Sequence, residues 1–249
     1  MKSIFLVSGF LFGITSLSIN NVYCSHQNNI VSDTLEIKSF HYSDNTPDSS
    51  AVINIEYPQI IYLENKVVES KINMLLEDEF KQTIEWYEEV AADSIDTGEF
   101  THTSDYSFET SFKIKYNSKE FCCIVLDHYE YTGGAHGNYF STGYNIRISD
   151  GELLSLQDII KENSFDLLTY EFEEALLELY SVESIQEAPL FNEEINITDE
   201  QDFYIIPGSL VLQFDPYEIA PYSEGEIQVE IPFENIKDIL KNNLPFTTK

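Results

Sequence analysis

Tyr131-Thr132-Gly133-Gly134-Ala135-His136-Gly137-Asn138-Tyr139-Phe140 sets three glycines and a histidine between two β-favouring runs near the middle of the chain. Upstream, 121–131 is rich in β-branched and aromatic side chains. Downstream, Tyr144, Ile146 and Ile148 alternate with Asn145, Arg147 and Ser149. Glycine frees the backbone for positive φ, so the stretch predicts a tight connection between two strands. The strand before it has the cleanest pattern. Across 106–116, Tyr106, Phe108, Phe112, Ile114 and Tyr116 share one face, and Ser107, Glu109, Ser111, Lys113 and Lys115 the other. Period two with one apolar face predicts an antiparallel sheet covered on one side. Asn117-Ser118-Lys119 turns this strand into the next, and Asp150-Gly151 predicts a two-residue hairpin after 144–149.

Toward the N-terminus, 34–42 and 51–57 read as strands separated by a polar turn, the second stopped by Pro58, which lacks a donor. A long helix follows over 63–91. Its stripe is Val68, Ile72, Leu75, Leu76, Phe80, Ile84 and Tyr87, which predicts packing against a sheet. Residues 93–99 are acidic but lack the oxygen spacing of a calcium loop, and are expected to be an ordinary loop.

Toward the C-terminus, 153–156 resumes the sheet and 156–161 is a short helix with Ser155 as N-cap. A second long helix over 165–181, capped by Ser164, carries the stripe Phe165, Leu168, Phe172, Leu176 and Leu179. An acidic surface excursion over 183–201 holds the sequon Asn196-Ile197-Thr198. Strands 202–206 and 209–214 flank Pro207-Gly208; a Pro-, Tyr- and Gly-punctuated loop runs to Gly225; a strand over 226–232 and a helix over 233–240 close the chain. The fold class is α+β, in two successive parts (35–140 and 141–240), each a mainly antiparallel sheet packed by a long helix.

The chain has 249 residues and a formal net charge of −31, from 44 acidic and 13 basic residues. Such a field repels nucleic-acid phosphate and anionic lipid and favours basic partners. Residues 1–24 read as a signal peptide: Lys2, an apolar run over 4–19, then Val22-Tyr23-Cys24-Ser25 as the cleavage boundary. That makes the protein extracytoplasmic: periplasmic, cell-surface or secreted. A membrane tie enters only if the segment is uncleaved or Cys24 is lipidated. Cys122 and Cys123 are neighbours on a strand. They point to opposite faces and read as two buried thiols rather than a disulfide.

The order of features is specific. Asn73 lies inside the first long helix. Then come Tyr131-Thr132-Gly133-Gly134-Ala135-His136-Gly137, the Asp150-Gly151 hairpin leading to Leu156-Gln157-Asp158-Ile159, a helix, and Phe214-Asp215-Pro216-Tyr217-Glu218-Ile219-Ala220-Pro221-Tyr222 before Gly225. Over about 35–240 this resembles the extracellular region shared by RsiV-type anti-sigma factors and the non-catalytic part of PdaC-type peptidoglycan deacetylases. The resemblance implies a PdaC accessory-like part over 35–140 and an RsiV C-terminal-like part over 141–240. In the anti-sigma members this region binds lysozyme, which implies an envelope binding module here.

Asp127, His128, Glu130 and His136 lie close in sequence and could supply metal ligands, but strand alternation separates the first two, and a structural turn is the favoured reading. No nucleophile, metalloprotease or P-loop motif occurs. No catalytic residue, metal or cofactor is therefore assigned, and since the resemblance is to the non-catalytic part of the deacetylases, a binding role is expected rather than an enzyme. The candidate binding residues are Tyr131, Gly133, Gly134, His136, Asp215, Tyr217 and Tyr222. The expected partner is a basic protein such as lysozyme, or peptidoglycan; the alternative is an enzyme or enzyme accessory acting on cell-wall glycan.

Overall fold

The computed structural model describes residues 33–44, 52–97, 106–192 and 194–248, with no side chains over 90–97. The signal peptide with Cys24, and most of the polar turn after the first strand, lie outside the described residues. Among them, no helix is long and apolar enough to cross a membrane.

Strands β1 (Glu36–Asp44), β2 (Val52–Ile61), β3 (Ser107–Asn117), β4 (Phe121–Tyr131), β5 (Asn138–Arg147) and β6 (Glu152–Leu153) form one sheet in sequence order. All pairs are antiparallel except β2–β3, where helix α1 (Lys66–Thr97) makes the crossover that a parallel pair requires. Strands β7 (Phe203–Ile206), β8 (Ser209–Phe214) and β9 (Ile227–Pro232) form a second, antiparallel sheet. Short helix α2 (Leu156–Ile159), long helix α3 (Phe165–Tyr180) and short helix α4 (Phe233–Ile236) complete the α+β fold.

Strand β4 lies at the centre and is buried on both faces. Cys122, Ile124 and Leu126 pack with Val68, Ile72 and Leu76 of α1. Phe121, Cys123 and Val125 pack with the second sheet and with Leu168, Phe172 and Leu176 of α3. The single-sided sheet expected from 106–116 is therefore covered on both sides at β4, whose continuous apolar run is the signature of that burial. The two thiols point to opposite layers, are unbonded, and burial pushes each up to about 12.

Several local expectations are corrected. Pro58 lies inside β2, opposite Ser39. Two residues on, Ile60 sends its N–H and C=O away from β1 to the side-chain amide of Asn73, at 2.8 and 2.7 Å. Same-parity residues face the same edge, so the donor that Pro58 lacks would point away from β1, past Ile55, where pairing with β3 has ended. Asp93–Thr97 belongs to α1 rather than to a loop, since no glycine or proline interrupts the helical run over 66–97. A bulge between Ile114 and Tyr116 breaks the alternation in β3. Tyr116 turns to the second-sheet face, edge-on to Phe121 at 5.4 Å, and Ile114 stays 45% exposed. Leu179 is exposed although it follows the stripe of α3, and Ser164 makes no side-chain cap bond. The Asp150-Gly151 turn is four residues, 148–151, closed by Gly151 N–H to Arg147 C=O at 2.8 Å with φ of 70° at Gly151.

The two sheets meet where β5 crosses β7. A Cβ at Gly143 would overlap the Phe203 carbonyl. Beside it Asn145, 2% exposed, donates to Phe203 C=O at 3.0 Å and accepts from Ile205 N–H at 3.1 Å. Asn145→Leu leaves two buried backbone groups unpaired, and we expect about 2–4 kcal/mol of destabilisation in urea unfolding. A loss below about 0.5 kcal/mol would show that the junction is dispensable.

Candidate functional site

The glycine turn and the loop after β8, 85 residues apart in sequence at their closest bond, come together at one edge of the molecule. Gly133 and Gly134 take φ of 95° and 98°, as the tight connection between β4 and β5 requires. Tyr131 closes the turn by donating its hydroxyl to Gly134 C=O at 3.0 Å. Gly137 plays another part: a Cβ there would sit 2.5 Å from the ring of Tyr129. Its carbonyl accepts from the Tyr222 hydroxyl at 2.6 Å and from His136 Nδ1 at 2.9 Å. A carbonyl only accepts, so His136 carries its proton on Nδ1 in this contact.

The result is an aromatic patch. The His136 ring stacks on Tyr222, centroids 3.9 Å apart and planes 22° off parallel. Tyr139 meets Tyr222 edge-on at 5.7 Å, and Tyr217 leans on it at 5.4 Å. Tyr217 holds a positive φ of 72° and is 55% exposed. A bulky residue in the left-handed region is strained, and here the strain presents an aromatic ring to solvent.

Asp215 fixes the loop to β5. Its carboxylate accepts from Ser141 N–H at 3.3 Å, and Gln213 donates to Ser141 C=O at 2.6 Å. Glu218 in turn accepts from Asp215 N–H at 2.8 Å. Burial raises the Asp215 carboxyl to about 6; the bond to Ser141 opposes this, and the neighbouring Glu226, Glu218 and Asp202 add to it.

The structure thus brings together His136, Tyr217 and Tyr222, anchors them with Asp215, and uses Tyr131, Gly133 and Gly134 to build the turn. Tyr129 and Tyr139 were not singled out from sequence. Tyr139 stands in the quoted stretch and Tyr129 pairs directly with it across β4–β5, so hairpin register was the available signal. The four side chains that could have formed a metal set disperse. Asp127 accepts from Ser141 Oγ at 3.1 Å and pairs with Lys113 at 2.9 Å. His128 lies on the opposite face, stacked on Phe140 at 4.6 Å and 3.1 Å from Thr110 Oγ1, and burial lowers it to about 4. Among the described residues, no three His, Cys, Asp or Glu side chains converge on one point.

Asp215 yields a pH prediction. Its folded-state pKa of about 6 exceeds its ordinary 3.8, so the folded protein takes up a proton before the unfolded chain as pH falls. Its stabilising contribution is full below about 3.8 and is lost as pH rises through about 6. Asp215→Asn removes this dependence. We expect the variant to be more stable than the wild type at pH 7, by about 1 kcal/mol after solvent screening. The gap should close between pH 6 and 4 in paired urea titrations, and a pH-independent difference would show that Asp215 does not titrate in this way.

Residues 45–139 match the family model described as Deacetylase PdaC, and residues 157–234 match DUF3298, a protein family of unknown function. The chain is 24% identical over 192 residues to the peptidoglycan-N-acetylmuramic acid deacetylase PdaC of Bacillus subtilis. That match covers 75% of this chain and 38% of the relative, so the chain spans well under half the relative's length. Two crystal structures of DUF3298 family proteins share the fold. One, from Bacteroides fragilis, has a TM-score of 0.68 at 18% identity and covers 84% of this chain and 94% of its own. The other, from Pseudomonas aeruginosa, has a TM-score of 0.65 at 19% identity, covering 87% and 99%. The chain therefore joins a segment of the PdaC type to a segment of the DUF3298 type, in the order its sequence led us to expect.

Proposed function

We propose that this protein is an exported, cell-envelope-associated binding module that recognises a basic protein, lysozyme being the model partner, through the patch of His136, Tyr139, Tyr217 and Tyr222. The observation that carries the reading is the His136–Tyr222 stack at 3.9 Å, which joins two segments singled out independently from sequence into one exposed aromatic surface. Tyr217 is exposed and Tyr139 and Tyr222 are half-buried; surface tyrosines on a rigid scaffold supply contact area at low entropic cost, the usual make-up of an interface anchor. The net charge of −31 favours encounter with a cationic protein. The name of the Bacillus subtilis relative supports a place at the cell wall, outside the cytoplasm. In this reading the parts over 35–140 and 141–240 each supply half of the surface. A second reading, an enzyme or enzyme accessory acting on cell-wall glycan, draws on the same relative and on the exposed ring of Tyr217, a surface on which a sugar could stack.

Calorimetric titration with a basic c-type lysozyme, at low and at ~0.15 M salt, tests the first reading. Binding should persist at the higher salt, and Tyr217→Ala should weaken it about tenfold with an unchanged melting temperature. Binding that vanishes with salt, or is absent at both salts while the protein sediments with peptidoglycan, would overturn it in favour of the second.

A further inference from the structure

The face of the six-stranded sheet opposite α1 is only partly covered. The second sheet packs on it where Tyr116, Phe121, Cys123 and Val125 lie. Beyond that cover the sheet face is open and holds a cavity of 370 Å³ whose lining includes Asn54, Glu56, Glu109, Asp127, Tyr129 and Tyr139. Register explains the grouping. Glu109 sits between Asn54 of β2 and Tyr129 of β4, and Tyr129 faces Tyr139 of β5. Glu56 faces His41 of β1. The register puts these residues on one face of the sheet, opposite to that of Ile53, Ile55 and Phe108, which pack with Tyr87 of α1. The recess continues into the aromatic patch, because Tyr139 belongs to both.

Its lining is rich in carboxylates, with Glu56, Glu109 and Asp127 beside the imidazoles of His41 and His128. Lys113 is paired with Asp127, and among the described residues Glu56 and Glu109 carry no ion pair. Two carboxylates beside the tyrosine rings match a cation: the ring faces attract it and the carboxylates accept its N–H groups. A neutral ligand would strip water from these carboxylates with no compensating charge, which is unfavourable. We propose that this recess receives a basic side chain of a protein partner. A guanidinium fits best, since it stacks on a ring and meets a carboxylate with two parallel bonds at once. The inference rests on the basic-partner reading above and adds a second, adjoining point of contact with a defined chemistry.

The test uses hexa-arginine as the probe, hexa-N-acetylglucosamine as the neutral glycan, and lysozyme, each titrated calorimetrically at ~0.15 M salt. Glu56→Gln/Glu109→Gln is compared with Glu174→Gln/Glu178→Gln, the same charge change at exposed positions of α3. Melting temperatures confirm that both variants are folded. We expect the recess variant to weaken hexa-arginine and lysozyme binding about tenfold and the α3 variant less than about twofold. Equal losses in the two variants would reduce the effect to net charge and overturn the proposal. So would an undiminished response to hexa-arginine in the recess variant, or glycan binding that this variant abolishes. If hexa-arginine binds through the recess while lysozyme does not bind at all, the lysozyme reading fails and the recess stands. If lysozyme binding depends on Tyr217 and not on Glu56 or Glu109, the converse holds.

Discussion

The carboxamide of Asn145 is where the two sheets become one structure. Strand β7 has β8 on one side only, so its other edge offers Phe203 C=O and Ile205 N–H with no strand to meet them. Asn145 offers one donor and one acceptor at the spacing of a peptide group, and takes up both. It reaches them because Gly143, two residues earlier on the same face of β5, lets the β7 backbone approach closely. Buried backbone groups left without partners are costly, so the crossing needs a substitute strand edge of this kind. The device recurs. Asn73 serves Ile60 at the margin of β2, and Asn117 bonds both the N–H and the C=O of Leu35 just before β1. Three asparagines thus complete ladders that the strands leave unfinished.

The position of the candidate site follows from that junction. Strand β5 is pinned at Asn145 by β7 and at Ser141 by Gln213 and Asp215. The turn at its start is thereby held against the loop that leaves β8. His136 meets Tyr222, and the left-handed Tyr217 is offered to solvent from a loop tied down at Asp215. Strand β4 supplies the rigidity beneath, since both of its faces are packed. The acidic side chains that dominate the composition are left at the surface, where the open sheet face gathers Glu56 and Glu109 beside two tyrosines.

Local periodicity made much of this legible. The stripe of α1, the core of the α3 stripe, the strands on either side of the glycines, the Pro207-Gly208 hairpin and the opposed thiols are properties of neighbouring residues, and the structure bears them out. Three of the misreadings share one cause. Pro58 is tolerated because the pairing of β2 with β3 ends at Ile55, Tyr116 changes face because a bulge shifts its register against β4, and Leu179 is exposed because it lies beyond the part of α3 that the core covers. None of these is encoded within a few residues of the position it affects. The roles of Tyr129 and Gly137 were hidden for the same reason, since each depends on the other across the hairpin.

By itself, the sequence determined the α+β class, the alternation of strands and helices, the family resemblance, the strong negative charge and the two segments that carry the candidate site. Only the tertiary structure decided that those segments touch, that Gly137 rather than Gly133 or Gly134 shapes their contact, and that an open acidic recess adjoins them. The division is physical. Hydrophobic period and turn chemistry act over a few residues. A ring stack between positions 136 and 222, or a carboxamide bridging strands nearly 60 residues apart, exists only once the intervening chain has folded.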